Sequence, residues 1–168
     1  MRKNLRKKPA AVRIAVIKKM KDQFIISKAD DNFREAIIGL LKSQKLPVED
    51  LPSSLTNFLI AQYNNEFAGV IGFEQYDQFA LLRSLAVHPD YRDRRIAQSL
   101  VEKLENDARL CGVTAIYLLT ETASGYFDAK GYNIIQRSEV PEAIKQSSEF
   151  SHVCPQSAIV MCKSLSIQ

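Results

Sequence analysis

The sequence predicts a single mixed α/β domain. Three observations carry that reading. The 168 residues, 46% apolar and 25% charged, suit one hydrophobic core and are too few for two generous ones. Stretches with strand-like alternation take turns with stretches of helical period. No internal repeat or low-complexity linker divides the chain. No run of about 18 uninterrupted apolar residues exists, so nothing reads as a membrane-spanning helix, and collagen-like, disulfide-scaffold and disordered classes fail on composition.

The elements follow in the order β-α-β-β-β-α-β-α-β-β. Phe24-Ile25-Ile26 reads as a first short strand. Asp30-Asp31-Asn32 starts a helix whose Phe33, Ile37, Leu40 and Leu41 share one face, with Glu35 three residues after Asn32 as in a capping box. Pro47 and Pro52 bracket a loop or short helix. Phe58 to Tyr63 and Glu66 to Gln75 read as strands joined by Asn64-Asn65, residues that tolerate the left-handed turn of a tight hairpin. Phe79 to Val87 is a further strand, with Leu81, Arg83, Leu85 and Val87 alternating against Leu82, Ser84 and Ala86. After Pro89 an amphipathic helix begins near Ile96, repeats through Leu100, Leu104 and Ala108 with Val101 alongside, and stops at Gly112. Ala115 to Thr120 is a buried strand and Ala123 to Lys130 a short helix closed by Gly131. Ile134-Ile135 and Ala158 to Met161 supply two more strands, separated by a polar stretch from Glu139 to Gln156.

Charge is unevenly spread. Residues 1–21 hold nine basic side chains and no acidic one, which leaves 14 basic and 19 acidic groups, a net of −5, in residues 22–168. A basic, flexible arm thus precedes an acidic domain. The arm reads as a solvated extension, a start placed upstream of Met20, or a tether offering non-specific contacts to nucleic acid or a membrane surface. A transit peptide is disfavoured because residues 1–26 lack Ser, and a signal peptide because Arg13 interrupts the apolar run from Ala10 to Ile17. Cys111, Cys154 and Cys162 are sparse, odd in number and without C-x-x-C spacing, so a cytoplasmic location and no bound metal are expected. No membrane partner is expected, and monomer and homodimer both stay open.

Chemistry concentrates in residues 85–98. The strand ending Leu85-Ala86-Val87 runs into a turn holding Arg92, Asp93, Arg94 and Arg95, which opens onto a helix at Ile96-Ala97-Gln98. First-turn N–H groups lack internal partners and carry the positive end of the helix dipole, so three arginines beside them make a candidate phosphate or pyrophosphate site.

The pattern Val87-x-Pro89-x-x-Arg92-x-x-Arg95-x-Ala97 resembles the acetyl-CoA signature of the GNAT acyltransferases, with Arg95 standing where that family usually keeps Gly. Thr120 to Tyr132 is similar to the family's N-x-x-A-x-x-F-Y-x-x-x-G-F segment, with Thr120 replacing Asn and Phe127 in the place of a general-acid Tyr. Tyr126, adjacent to that place, is expected to point elsewhere on its helix. The resemblance spans about residues 24–165. It implies a single mixed, mostly antiparallel twisted sheet flanked by helices, with acetyl-CoA as co-substrate on Leu85, Ala86, Val87, residues 92–98 and Phe127. It further implies direct acetyl transfer to the primary amine of a small molecule, in a gap where the fourth and fifth strands splay. An N–H near Ala86 or Val87 would polarise the thioester carbonyl. No carboxylate lies between Phe79 and Val87, which leaves Glu74 and Glu121 as base candidates.

Glu139-Val140-Pro141-x-x-Ile144, Glu149-Phe150, Cys154-Pro155 and Ser157-Ala158, with Leu82 to Val87, resemble a GNAT branch encoded beside arsenic-resistance genes. On that basis Arg83, which alternates with Ser84 beside the thioester, is expected to hold an acceptor carboxylate or oxyanion, and Cys154 to meet a soft arsenic atom. The stretch from Glu139 to Gln156 reads as a lid or binding loop. The Arg95 and Phe127 departures also allow a catalytically weak acyl-CoA-binding regulator.

Overall fold

A computed structural model describes residues 24–165; the basic arm of residues 1–21 lies outside them. Seven strands form one sheet in the order β1-β2-β3-β4-β5-β7-β6. They are β1 (Phe24–Lys28), β2 (Phe58–Tyr63), β3 (Glu66–Tyr76), β4 (Phe79–Val87), β5 (Ala115–Thr120), β6 (Asn133–Ile135) and β7 (Ile159–Ser164). All neighbours are antiparallel except β4 and β5. The helices are α1 (Arg34–Ser43), α2 (Ile96–Leu110), α3 (Ser124–Asp128) and α4 (Glu142–Lys145).

Local signals account for most boundaries. Asn64 and Asn65 both take positive φ, 50° and 68°, which matches the twist of a two-residue hairpin and fixes the β2–β3 register. Gly112 at φ +79° and Gly131 at φ +84° close α2 and α3. The first helix departs from the expected capping box. Asp30 accepts the Asn32 N–H at 2.9 Å to cap a 3₁₀ turn over Asp31–Phe33, and α1 starts only after that turn, at Arg34.

Both faces of the sheet are covered. Leu59, Ala61, Ile71, Ala80 and Leu82 point to α2, meeting Ile96, Leu100, Val101 and Leu104. Phe58, Ile60 and Val70 point the other way, to Ile37, Leu40 and Leu41 of α1. On that same side Leu81, Tyr117 and Val160 pack under Val140, Ile144 and Phe150. The stretch between β6 and β7 is therefore a packed cover with three buried apolar anchors, containing α4 and a π turn over Glu149–Val153, where the sequence predicted a lid or loop. Buried Glu105 of α2 accepts from Tyr132 Oη at 3.1 Å and from Lys163 Nζ at 2.7 and 2.8 Å, tying the helix to β7. Among the described residues no helix is long and apolar enough to cross a membrane.

Candidate active site

The site begins with a failure of strand pairing. β4 and β5 are bonded only at Phe79↔Ala115, Ala80↔Ile116 and Leu81↔Tyr117. Beyond that point β4 runs on to Val87 and β5 to Thr120 with no ladder between them, and a cleft of about 1040 Å³ opens there. A bulge on the other side of β4 contributes to the divergence. Ser84 and Leu85 both sit opposite Ile71, between the pairs Gly72↔Arg83 and Val70↔Ala86, and Ser84 takes φ +60°. Such a bulge bends its strand, sharpens the twist and leaves one residue outside the ladder. It also corrects the predicted alternation: Leu85 and Val87 join Leu82 on the α2 face, whereas Ala86 joins the α1 side.

At the mouth, the turn before α2 holds two non-glycine residues in the left-handed region, Asp93 at φ +61° and Arg95 at φ +60°. Arg95 is the N-cap of α2 and offers no side-chain cap. The first-turn N–H groups therefore lack both intrahelical and capping partners. Arg92, Asp93, Arg95, Ile96, Ala97 and Gln98 all lie on the cleft wall, joined by Lys45 from the loop after α1. Arg94 does not join them: its Nη1 donates to Tyr63 Oη at 2.8 Å and its guanidinium stacks 4.5 Å over that ring.

At the inner end, Arg83 is only 3% exposed and ringed by acids. Its guanidinium bonds Asp50 through Nη2–Oδ1 at 2.5 Å and Nη1–Oδ2 at 3.1 Å, bonds Glu74, and lies 3.8 Å from Glu149 Oε2. Asp50 also accepts from Ser148 Oγ at 3.0 Å, and Glu74 from Tyr76 Oη at 2.9 Å. Burial opposes ionisation of Asp50, yet the bonded guanidinium holds its carboxyl below the usual range. Glu149 is the reverse case: burial pushes it up to about 7, Asp50 and Glu74 push the same way, and Arg83 opposes them. Burial and the nearby Glu149 push the Cys154 thiol up to about 12.

Residues 18–131 match the model of the GNAT acetyltransferase family, more than half of the chain. The chain belongs to the GNAT family. This GNAT chain is 30% identical over 137 residues to an uncharacterized N-acetyltransferase of Chlorobaculum tepidum, covering 81% of its own length and 85% of the relative's. It is 25% identical over 96 residues to the amino-acid acetyltransferase of Mannheimia succiniciproducens, 56% of this chain but only 22% of that enzyme, so it spans about a fifth of that relative's length. The solved N-acetylglutamate synthase of Neisseria gonorrhoeae, complexed with coenzyme A and N-acetyl-glutamate, superposes with a TM-score of 0.76 at 16% identity over 86% of this chain and 36% of that one. This last likeness is one of fold.

Within this GNAT fold the residues singled out from sequence fall into two groups. Leu85, Ala86, Val87, the mouth residues except Arg94, Phe127, Arg83, Ser84, Cys154 and Glu121 share the cleft. Glu121 is exposed at its rim, while Glu74 lies behind Arg83 and off the wall. Phe127 is buried edge-on against Tyr132, and the adjacent Tyr126, expected to point elsewhere, also lines the cleft and has a buried hydroxyl without a protein hydrogen-bond partner. Burial, and then Glu102 of α2, raise the Tyr126 phenol above its ordinary value. Sequence reasoning gave no role to Glu149, Asp50 or Lys45. The Glu149-Phe150 pair was visible as a motif, but nothing in one-dimensional order marks a carboxylate as buried.

Proposed function

We propose that this GNAT acetyltransferase uses acetyl-CoA to acetylate the primary amine of a small acceptor. One observation carries the reading: the unpaired gap between β4 and β5 runs from an uncapped helix N-terminus to a buried polar end. In this reading the pyrophosphate sits on the N–H groups of residues 96–98 with Arg92, Arg95 and Lys45 as nearby cations. The thioester then enters the gap, where an N–H at Ala86 or Val87 is assigned to its carbonyl oxygen. The amine attacks the carbonyl carbon, the C–N bond forms, and the C–S bond breaks as CoA thiolate departs. With an ordinary thiol pKa near 8.5, that leaving group needs no strong acid, so Phe127 in the place of a Tyr is no bar to turnover.

The inner end bears on the acceptor. Arg83 is spent on Asp50, Glu74 and Glu149, three carboxylates against one cation, which supports an acceptor that approaches as an ammonium ion without a carboxylate of its own. Those carboxylates argue against an anionic acceptor held by Arg83. The Cys154 thiol, pushed up to about 12, argues likewise against arsenic capture, because a soft metalloid prefers a thiolate. The test is release of free thiol from acetyl-CoA with a panel of small primary amines, alongside calorimetry of CoA binding. Thiol release dependent on an amine is expected. CoA binding without release for every amine would favour a non-catalytic acyl-CoA binder instead.

A further inference from the structure

Resting on the acetyl-transfer reading, we infer that Glu149 is the base of this reaction: it receives the acceptor ammonium at the inner end of the cleft and takes its proton. The assignment starts from an unsatisfied atom. Glu149 is 8% exposed, and its Oε2 is buried with no hydrogen-bond partner. Its other oxygen accepts only a long contact from Cys154 Sγ at 3.8 Å. A buried carboxylate oxygen without a hydrogen bond costs on the order of 1–3 kcal/mol, and Arg83 Nε, 3.8 Å away, offers this one only a long ion contact. This one stands on the cleft wall that Arg83, Ser84 and Cys154 also line. An ammonium group, with three donors, supplies what the oxygen lacks.

The groups facing Glu149 come from every element around it. Arg83 from β4 lies 3.8 Å from Oε2 in an ion contact, Asp50 reaches in from the loop after α1, Glu74 from β3, and Cys154 from its own connection. Arg83 is thereby a positioning residue: it neutralises Asp50 and Glu74 and keeps the three carboxylates, whose oxygens lie within 4.8 Å of one another, in one place. The balance favours a base that works at neutral pH. A carboxyl held near 7 is partly ionised there, and is basic enough to accept a proton that a surface glutamate would refuse.

The protons balance as follows. Glu149 takes one proton from R–NH₃⁺, and the resulting R–NH₂ attacks the thioester carbon. The second proton is shed by the nitrogen of the tetrahedral adduct as the C–S bond breaks, and it ends on the CoA sulfur. Glu149 then returns its proton to water, so that R–NH₃⁺ and acetyl-CoA become the amide, CoA thiol and H⁺. Glu121 at the rim is exposed and Glu74 is bonded to Arg83 and Tyr76, so neither offers a buried oxygen without a hydrogen bond.

The experiment compares Glu149→Gln and Glu149→Asp with the wild type, using putrescine and trifluoroethylamine, whose ammonium is far more acidic. Wild-type kcat/KM for putrescine is expected to rise through about pH 7. Glu149→Gln should lose that limb and fall about 100-fold or more at neutral pH while CoA affinity by calorimetry is unchanged. The loss should shrink for trifluoroethylamine, which needs no base, and Glu149→Asp should retain part of the limb. A fall that is equal at every pH and for both amines, or a retained limb in Glu149→Gln, overturns the assignment. If Glu149→Gln fails to fold, Glu149→Asp decides by the same two readouts. A wild-type chain that binds acetyl-CoA yet releases no thiol with any amine overturns the transfer reading itself, and this inference with it.

Discussion

Arg95 heads α2 at φ +60°, a conformation that costs an L-residue about 1–2 kcal/mol and that glycine adopts freely. Set against the extra unfolded-state freedom of glycine, Arg95→Gly is expected to gain about 0.5–1 kcal/mol. The check is an upward shift of the denaturant midpoint at constant slope. The same variant separates two roles for the side chain: weaker CoA binding identifies a phosphate cation, tighter binding an obstruction. Arg83 has the opposite sign. Arg83→Ala leaves Asp50, Glu74 and Glu149 facing one another without a counter-charge, and a loss of about 3–5 kcal/mol is expected from a broken buried pair. Chemical denaturation measures it, and a loss under about 1 kcal/mol would mean that water already screens the cluster.

Elements place these side chains, and two of them invite tests. The β2–β3 pairing requires bare backbone at Gly72, where an added Cβ would come within 2.6 Å of the Phe58 ring. Phe58 is itself fully buried against α1, so the ring has no room to yield. Gly72→Ala should therefore cost about 1–3 kcal/mol, seen as a lowered Tm. The head of α2 is probed by Arg92→Ala, for which CoA affinity should weaken by about 1–3 kcal/mol, the value of a charge-assisted bond. Unchanged calorimetry would remove Arg92 from the pyrophosphate site. Most of this level was legible in the sequence. The hairpin at Asn64-Asn65, the strand ending at Val87 and the amphipathic run from Ile96 are set by local preferences and periodicity. The bulge at Ser84 was not legible, because one extra residue in a ladder shows only when the partner strand is known. For the same reason Arg83 read as free when its three acids came from residues 50, 74 and 149, far apart along the chain.

At the scale of the whole molecule, a chain starting at Met20 is proposed to keep the Tm and CoA affinity of the full protein, since residues 1–19 show no pattern that a core would use. A fall of more than a few degrees would mean that the arm packs on the domain. Stability should also carry the signature of the buried base. The Glu149 carboxyl is held near 7 in the fold against an ordinary value of 4.5, so the native state binds the proton more tightly and loses stability as pH rises between the two. Glu149→Gln removes that dependence, and its Tm relative to the wild type should climb from pH 5 to pH 8; a flat difference would place the carboxyl near its ordinary value. One feature of the sheet bears on how the protein is made. β7 is the last of the described strands to be synthesised, yet it lies between β5 and β6, and β6 has no other ladder partner. Until residues 159–164 are in place, β6 has no strand to pair with, and the cover bearing Glu149 lacks Val160 beneath it although Leu81 and Tyr117 are already there. Completion of the sheet and of the cover that carries Glu149 thus both depend on the last described strand.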